Sequence, residues 1–211
     1  MLFGASCPDV LKIIAAINRK KMTWRILGFI DDTPEKQGGS FFGYQVLGGN
    51  EIIKDLDLFS TFFFNNVYRT TAGRKKVACI LDKFKCQTVT LIHPDIDISM
   101  ADIGTGVIIE QQAALGAYTT ISDFCCIKRA ASIGHENILE KYVFIGPGAT
   151  LCGRVIAQEA AYIGAGSCIL ENVKIGKNSI IGAGSLVNKN VPSGVTVIGS
   201  PAKPYKKKLK N

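Results

Sequence analysis

Two histidines occur in the 211 residues, His93 and His135, and the second is followed directly by an acid, Glu136. An imidazole changes protonation near neutral pH, so it can take a proton from an attacking amine or hydroxyl. A carboxylate beside it can orient the ring and stabilise the imidazolium that forms. His135 stands two residues after an aliphatic, Ile133, and next to Gly134, which predicts a surface position. His93 precedes Pro94 and reads as structural. Two imidazoles are too few for a three-histidine metal site. The seven cysteines (Cys7, Cys79, Cys86, Cys125, Cys126, Cys152 and Cys168) contain no C-x-x-C pair. Neither a metal site nor a disulfide framework is expected.

The element that must position His135 is a repeat. Every sixth residue from Ile103 to Val187 gives fifteen positions, of which fourteen are Ile, Leu or Val and one is Ala157. Four residues after each aliphatic comes a mostly small side chain, from Val107 through Cys125 and Asn137 to Val191. Gly follows the aliphatic at 104, 116, 134, 146, 164, 176 and 182, where a turn is expected to need a residue without Cβ. A period of six fits neither the helical 3.6 nor the strand alternation of 2. It predicts a coil of three short strands, one per hexad, with aliphatics stacked inward and small residues at the corners. Residues 103–192 then make five coils, each burying its aliphatics against its neighbours. Cys125 reads as a small inward residue of this coil.

Residues 1–90 alternate apolar runs with amphipathic stretches. Strands are predicted at Leu2–Ala5, Trp24–Ile30, Thr61–Val67 and Thr88–Ile92, and helices at 9–20, 50–56 and 72–84. That order predicts a small parallel sheet whose ligands lie at the carboxyl ends of its strands. Gly4-Ala5-Ser6 sits where the first strand meets the first helix, a place where amides and the helix dipole favour an anion. Asp31 and Asp32 close the second strand and can accept hydrogen bonds from a base or ribose. A full G-x-G-x-x-G is absent, which favours a mononucleotide or simple turn chemistry over a dinucleotide.

Taken together, Gly4-Ala5-Ser6, Phe29-Ile30-Asp31-Asp32, the 43–49 segment (GYQVLGG), Ile92-His93-Pro94, the hexads and the ending from Asn190 to Lys203 resemble one family. It is that of the bacterial nucleotide-sugar N-acetyltransferases and the related sialic-acid O-acetyltransferases. The resemblance implies an α/β N-terminal Rossmann-like domain (1–92), followed by a left-handed parallel β-helix (93–211). It implies acetyl-CoA as co-substrate, a nucleotide-linked amino sugar as acceptor in surface-glycan synthesis, and a homotrimer with sites in grooves between adjacent β-helices. On this resemblance His135 is the base and Glu136 its acid partner, while a backbone N–H near Gly153 holds the thioester oxygen. Acetyl-CoA is expected along Gly146, Gly153, Ala165, Ala183 and Lys203. The nucleotide sugar is expected at Gly4, Ser6, Asp31, Asp32, Gly48 and Gly49.

The sequence also departs from the family. Cys7-Pro8-Asp9 replaces a turn that commonly continues Gly-His-Gly, and Phe144 stands where a second histidine is usual. Lys128, followed by Arg129, replaces an Asn seven residues before the base and is read as a contact for an acidic sugar or phosphate. Three readings therefore stand: transfer to a sugar amine, O-acetylation of a sialic-acid-like sugar, or a non-catalytic sugar-nucleotide-binding trimer.

Composition frames the choice. Hydrophobic residues make up 47% and charged residues 20%, as in a packed globular protein. No apolar run approaches the length of a membrane span, and no secretory signal is recognisable, so a cytoplasmic location without membrane insertion is expected. The net charge of +8 owes part to Lys203, Lys206, Lys207, Lys208 and Lys210. These suit CoA phosphates or a solvated tail, and nucleic acid is not the expected partner.

Overall fold

From Asp102 to Val187 each hexad contributes one two-residue strand, fifteen in all. Each of the first twelve pairs in parallel with the one eighteen residues on. The first face runs Ile103, Ile121, Leu139, Ala157, Ile175. The second runs Ile109, Ile127, Ile145, Ile163, Ile181. The third runs Leu115, Ile133, Leu151, Ile169, Val187. These are the five coils of three strands that the period of six demands. Thirteen of the fifteen aliphatics are buried, Ile103 and Leu115 only partly, and all fifteen small residues from Val107 to Val191 are buried. After Val187 the coil shortens. Strand Thr196–Ile198 meets Ile180–Ile181 sixteen residues back and folds antiparallel onto Lys203–Pro204.

The turn glycines have another reason than the one expected. The left-handed residue of each corner lies three after the aliphatic, at fourteen successive hexads from Gly106 to Gly184, and most are not glycine. The glycine directly after the aliphatic is required by close approach. A Cβ on Gly134 would lie 2.7 Å from the carbonyl carbon of Cys152, and one on Gly146 2.6 Å from the amide of Ala165. At these hexads the next coil passes too near for a side chain, whereas others carry residues such as Glu110, Lys128 and Leu170 in the same place.

The computed structural model describes residues 1–68 and 70–205, so Lys206, Lys207, Lys208 and Lys210 lie outside the described residues. The chain divides into the units Met1–Pro94 and Asp95–Asn211. In the first, strands β1 (Leu2–Phe3), β2 (Phe29–Ile30), β3 (Ser40–Phe41), β4 (Tyr44–Gly48), β5 (Phe62–Asn65) and β6 (Gln87–Thr88) form one sheet of order β3-β4-β2-β1-β5-β6. All its pairings are parallel except β3 with β4. Helices α1 (Asp9–Lys20) and α2 (Thr71–Lys83) supply the crossovers. Phe3, Ile30, Ile53, Phe63, Val77 and Leu81 form a core cluster.

Three local expectations need correction. The run 24–30 is strand only at its end, because the amide and carbonyl of Trp24 are bound by the Asn18 carboxamide instead of a neighbouring strand. Residues Asn50–Asp55 form a 3-10 helix. The β3–β4 hairpin was not foreseen. Its two-residue turn, Phe42-Gly43, has positive φ at both positions, which suits the twist of a tight hairpin. Among the described residues no helix is long and apolar enough to cross a membrane.

Because each coil is held only by its neighbours, cavities in the stack are costly. Ile163, fully buried in the fourth coil, should lose about 2–5 kcal/mol on replacement by Ala, measured by urea unfolding.

Candidate active site

His135 lies at the corner after the third face, half exposed, where its Nδ1 meets Glu136 Oε2 at 2.8 Å. The carboxylate accepts Nδ1–H, which leaves the Nε2 lone pair, beside Gly153, able to take a proton. Glu136 occupies the left-handed corner position (φ 56°), and that bend brings its carboxylate back beside its neighbour's ring. One coil on, Arg154 at the equivalent corner stands 3.6 Å from Glu136 Oε2, and its Nε donates to Asn172 Oδ1 at 2.9 Å. Hydrogen bonding to His135, and after it the charges of His135 and Arg154, outweigh a smaller desolvation and hold the Glu136 carboxyl below the usual carboxylate range.

Gly153 is the residue stacked on His135. A Cβ there would lie 2.5 Å from His135 Nε2, so only glycine leaves room for the ring. Its amide makes no hydrogen bond to another group among the described residues. A basic nitrogen and an uncommitted N–H thus share one corner of adjacent coils. Gly146, Ala165 and Ala183 line up along a different corner, the one after the second face, with Gly146 buried and the two alanines exposed. Lys203 is exposed in the terminal hairpin. Within one chain, therefore, the residues expected to activate the acceptor and those expected to hold CoA occupy separate edges.

Lys128 is not offered to a ligand as expected. Its Nζ pairs with Glu110, one coil away in the same column, and both side chains are buried. Glu110 also accepts the Arg129 amide at 3.1 Å. Phe144 stacks on Tyr162 with ring centroids 4.6 Å apart and planes 3° from parallel, so an aromatic ladder occupies the place of the missing histidine.

In the first unit, Gly4, Ser6, Asp31, Asp32, Gly48 and Gly49 do gather at the carboxyl ends of β1, β2 and β4, which are adjacent strands. Their polar groups are largely engaged with each other. Asp31 Oδ2 accepts from the Ala5 amide at 2.8 Å and Lys36 Nζ at 2.9 Å, and Oδ1 from the Thr33 amide. Burial pushes the Asp31 carboxyl upward, but Lys36, Thr33 and Ala5 outweigh it and hold it below its ordinary value. Asp32 takes the amide and side chain of Asn50 at 2.9 and 3.0 Å and faces Lys76 at 3.4 Å. Ser6 Oγ donates to the Asn66 carbonyl, and the fully buried Asn66 carboxamide ties Gly4 to Cys7. The expectation that both aspartates wait for a base or ribose is corrected accordingly: Asp31 clamps the β1–α1 turn, and Asp32 fixes the start of the 3-10 helix. Lys36 and Asn66, which sequence reasoning missed, carry no motif that marks them.

Residues 158–189 match the model of the bacterial transferase hexapeptide (six repeats) family. A search of curated protein sequences finds no match. Among solved structures, the acetyltransferase domain of PglB from Neisseria gonorrhoeae, in complex with acetyl coenzyme A, superposes with a TM-score of 0.87 at 27% identity, covering 97% of each chain. PerB from Caulobacter crescentus, in complex with CoA and GDP-perosamine, gives 0.88 at 24% identity over 97% of this chain and 96% of that one. WeeI from Acinetobacter baumannii gives 0.84 at 24% over 97% and 98%. Repeat and whole-chain fold together define the class, a hexapeptide-repeat transferase. Across the whole chain it is similar to the PglB acetyltransferase domain and to PerB.

Since the Asp31 carboxyl titrates below its unfolded value, its contribution is complete above the ordinary carboxylate pKa, near 4, and is lost as pH falls through the depressed folded value. Asp31→Asn should cost about 1–3 kcal/mol at pH 7, with the gap to wild type closing in denaturant titrations below about pH 4.

Proposed function

We propose that this protein transfers the acetyl group of acetyl-CoA to the amine of a nucleotide-linked amino-deoxy sugar, as a cytoplasmic homotrimer of left-handed β-helices. The observation that carries this reading is the stacking of His135 on Gly153, which sets a base beside an uncommitted amide. A neutral sugar amine attacks the thioester carbonyl, and His135 Nε2 takes its proton. The Gly153 N–H receives the charge that builds on the carbonyl oxygen. As the C–S bond breaks and the amide forms, the imidazolium returns the proton to the sulfur of CoA. Glu136 stabilises that imidazolium throughout.

The two separate edges support an assembly of copies, which we take to be a trimer. The corner with His135 and Gly153 needs a second copy to bring the Gly146, Ala165, Ala183 edge opposite it, with Lys203 placed for the CoA phosphates. We assign the Rossmann-like unit (1–92) to the nucleotide, at the rim formed by Gly4, Ser6, Gly48 and Gly49. The β-helix (93–211) carries the acyl chemistry. The complexes of the PglB domain with acetyl coenzyme A and of PerB with CoA and GDP-perosamine support this choice of ligands.

A CoA-release screen over amino nucleotide sugars tests the substrate class; turnover on hydroxyl sugars alone would replace it. On a turned-over amine, His135→Ala should lower kcat by at least about 100-fold. Retention within a few-fold removes His135 from the mechanism. Gly153→Ala should act nearly as strongly, because its Cβ displaces the ring. The shared groove has its own test. Co-expressed His135→Ala and Ala165→Trp chains, each inactive alone, should regain activity as mixed trimers, since one groove then joins two intact edges.

A further inference from the structure

The column of inward residues at the third corner reads Thr119, Asn137, Val155, Val173, Val191, with a carboxamide at the coil that bears the base. Asn137 is fully buried. Its Nδ2 donates to the Gly134 carbonyl at 2.7 Å and the Cys152 carbonyl at 2.9 Å, and its Oδ1 accepts the Val155 amide at 2.8 Å. Those two carbonyls belong to the peptide units that end in the amides of His135 and Gly153. In a trans peptide the C=O and N–H point in opposite directions. A side chain that draws both carbonyls inward therefore turns the His135 and Gly153 N–H groups outward, toward the imidazole.

We propose that Asn137 is a positioning residue for acyl transfer. One buried carboxamide aims the Gly153 N–H, polarises it through the hydrogen bond on the other end of the same peptide, and fixes the spacing between the coils of base and donor. Thr119 makes a similar brace one coil back, between the Gly116 and Gly134 carbonyls, and of the two it is Asn137 that reaches the peptide of Gly153. Further on, Val173 leaves the corresponding carbonyls of Leu170 and Asn188 without a side-chain donor from this column. The identity of the reacting atoms rests on the function proposed above, whereas the bracing geometry does not.

An isosteric pair separates positioning from packing. Valine already fills this column at three positions, so Asn137→Val should fold. Asn137→Thr restores a donor, because Thr119 Oγ1 reaches the equivalent two carbonyls one coil back, Gly116 at 2.8 Å and Gly134 at 3.1 Å. Asn137→Val should lower kcat by about 10- to 100-fold, with KM for acetyl-CoA within about 3-fold. Asn137→Thr should recover most of that loss. Ser179→Ala, which removes another buried brace to the Gly176 carbonyl, should leave kcat unchanged. The proposal is overturned if Asn137→Val keeps kcat within about 3-fold, or if the Val and Thr variants fall together. Amide NMR spectra of the intact protein provide a readout independent of turnover. The Gly153 amide resonance should move in Asn137→Val and not in Ser179→Ala. If wild type turns over no amino sugar while that resonance moves, the substrate reading fails and the positioning stands; an unmoved resonance sinks the positioning itself.

Discussion

The structure depends on one repeated interaction, the hydrogen bond from an amide in one coil to a carbonyl seventeen residues ahead in the next. It runs from Asp102 to Thr119, Gly104 to Ile121, Gly116 to Ile133 and Gly134 to Leu151, and continues up the stack. Each coil is thereby held at strand spacing from its neighbours. That spacing makes the aliphatics stack, requires glycine where backbones pass closest, and keeps equivalent residues eighteen apart in vertical columns. Chemistry arises when two residues in one column differ. The column Ala117, His135, Gly153, Glu171 holds a base beside a residue with no side chain, so an imidazole can lie on a bare peptide.

The corners follow the same logic. A left-handed residue every six positions points its side chain away from the coil, which is a strained place for most side chains but a good one for presenting a functional group. Glu136 and Arg154 both occupy such positions at the third corner, and Asn172 follows. The His135 imidazole, the Glu136 carboxylate and the Arg154 guanidinium that draws on that carboxylate are therefore successive projections of one edge, held by backbone and not by loops.

How much of this was legible in the sequence depended on period. Fifteen positions in phase fix the coil, the burial of its two inward columns and the exposure of His135 without reference to anything else. The N-terminal sheet was read less sharply because its strands are two to five residues long, and a side chain such as Asn18 can capture the backbone of Trp24. Site residues fared by the same rule. His135 and Gly153 stand out as exceptions in a regular column. Lys128 was misread because its partner, Glu110, is eighteen residues earlier, a separation that becomes contact only once the coil is closed. Asn137 was visible as a polar residue among small ones, yet its meaning lay in which two carbonyls it would meet.

The two units treat their polar groups in opposite ways, and that difference bears on specificity. At the third corner of the β-helix, His135 Nε2 and the Gly153 amide are left outward, while the carbonyls behind them are satisfied from within by Asn137. At the carboxyl edge of the N-terminal sheet the reverse holds: the Ala5 amide, Asp31 and Asp32 are paired to one another or to Lys36, Asn50 and Lys76. Pro8 contributes no amide to the start of α1, and Asp9 places a carboxylate in its first turn, which works against an anion there. A phosphate at this rim would have to draw Lys36 or Lys76 from its aspartate, at the cost of leaving that carboxylate less well satisfied. The Ser6 hydroxyl, whose hydrogen goes to the Asn66 carbonyl, can still accept a hydrogen bond from a neutral base or sugar without such a cost. On the function proposed above, the third corner supplies the acyl chemistry and the choice among acceptors is assigned to the N-terminal rim and the few groups there that remain unspent.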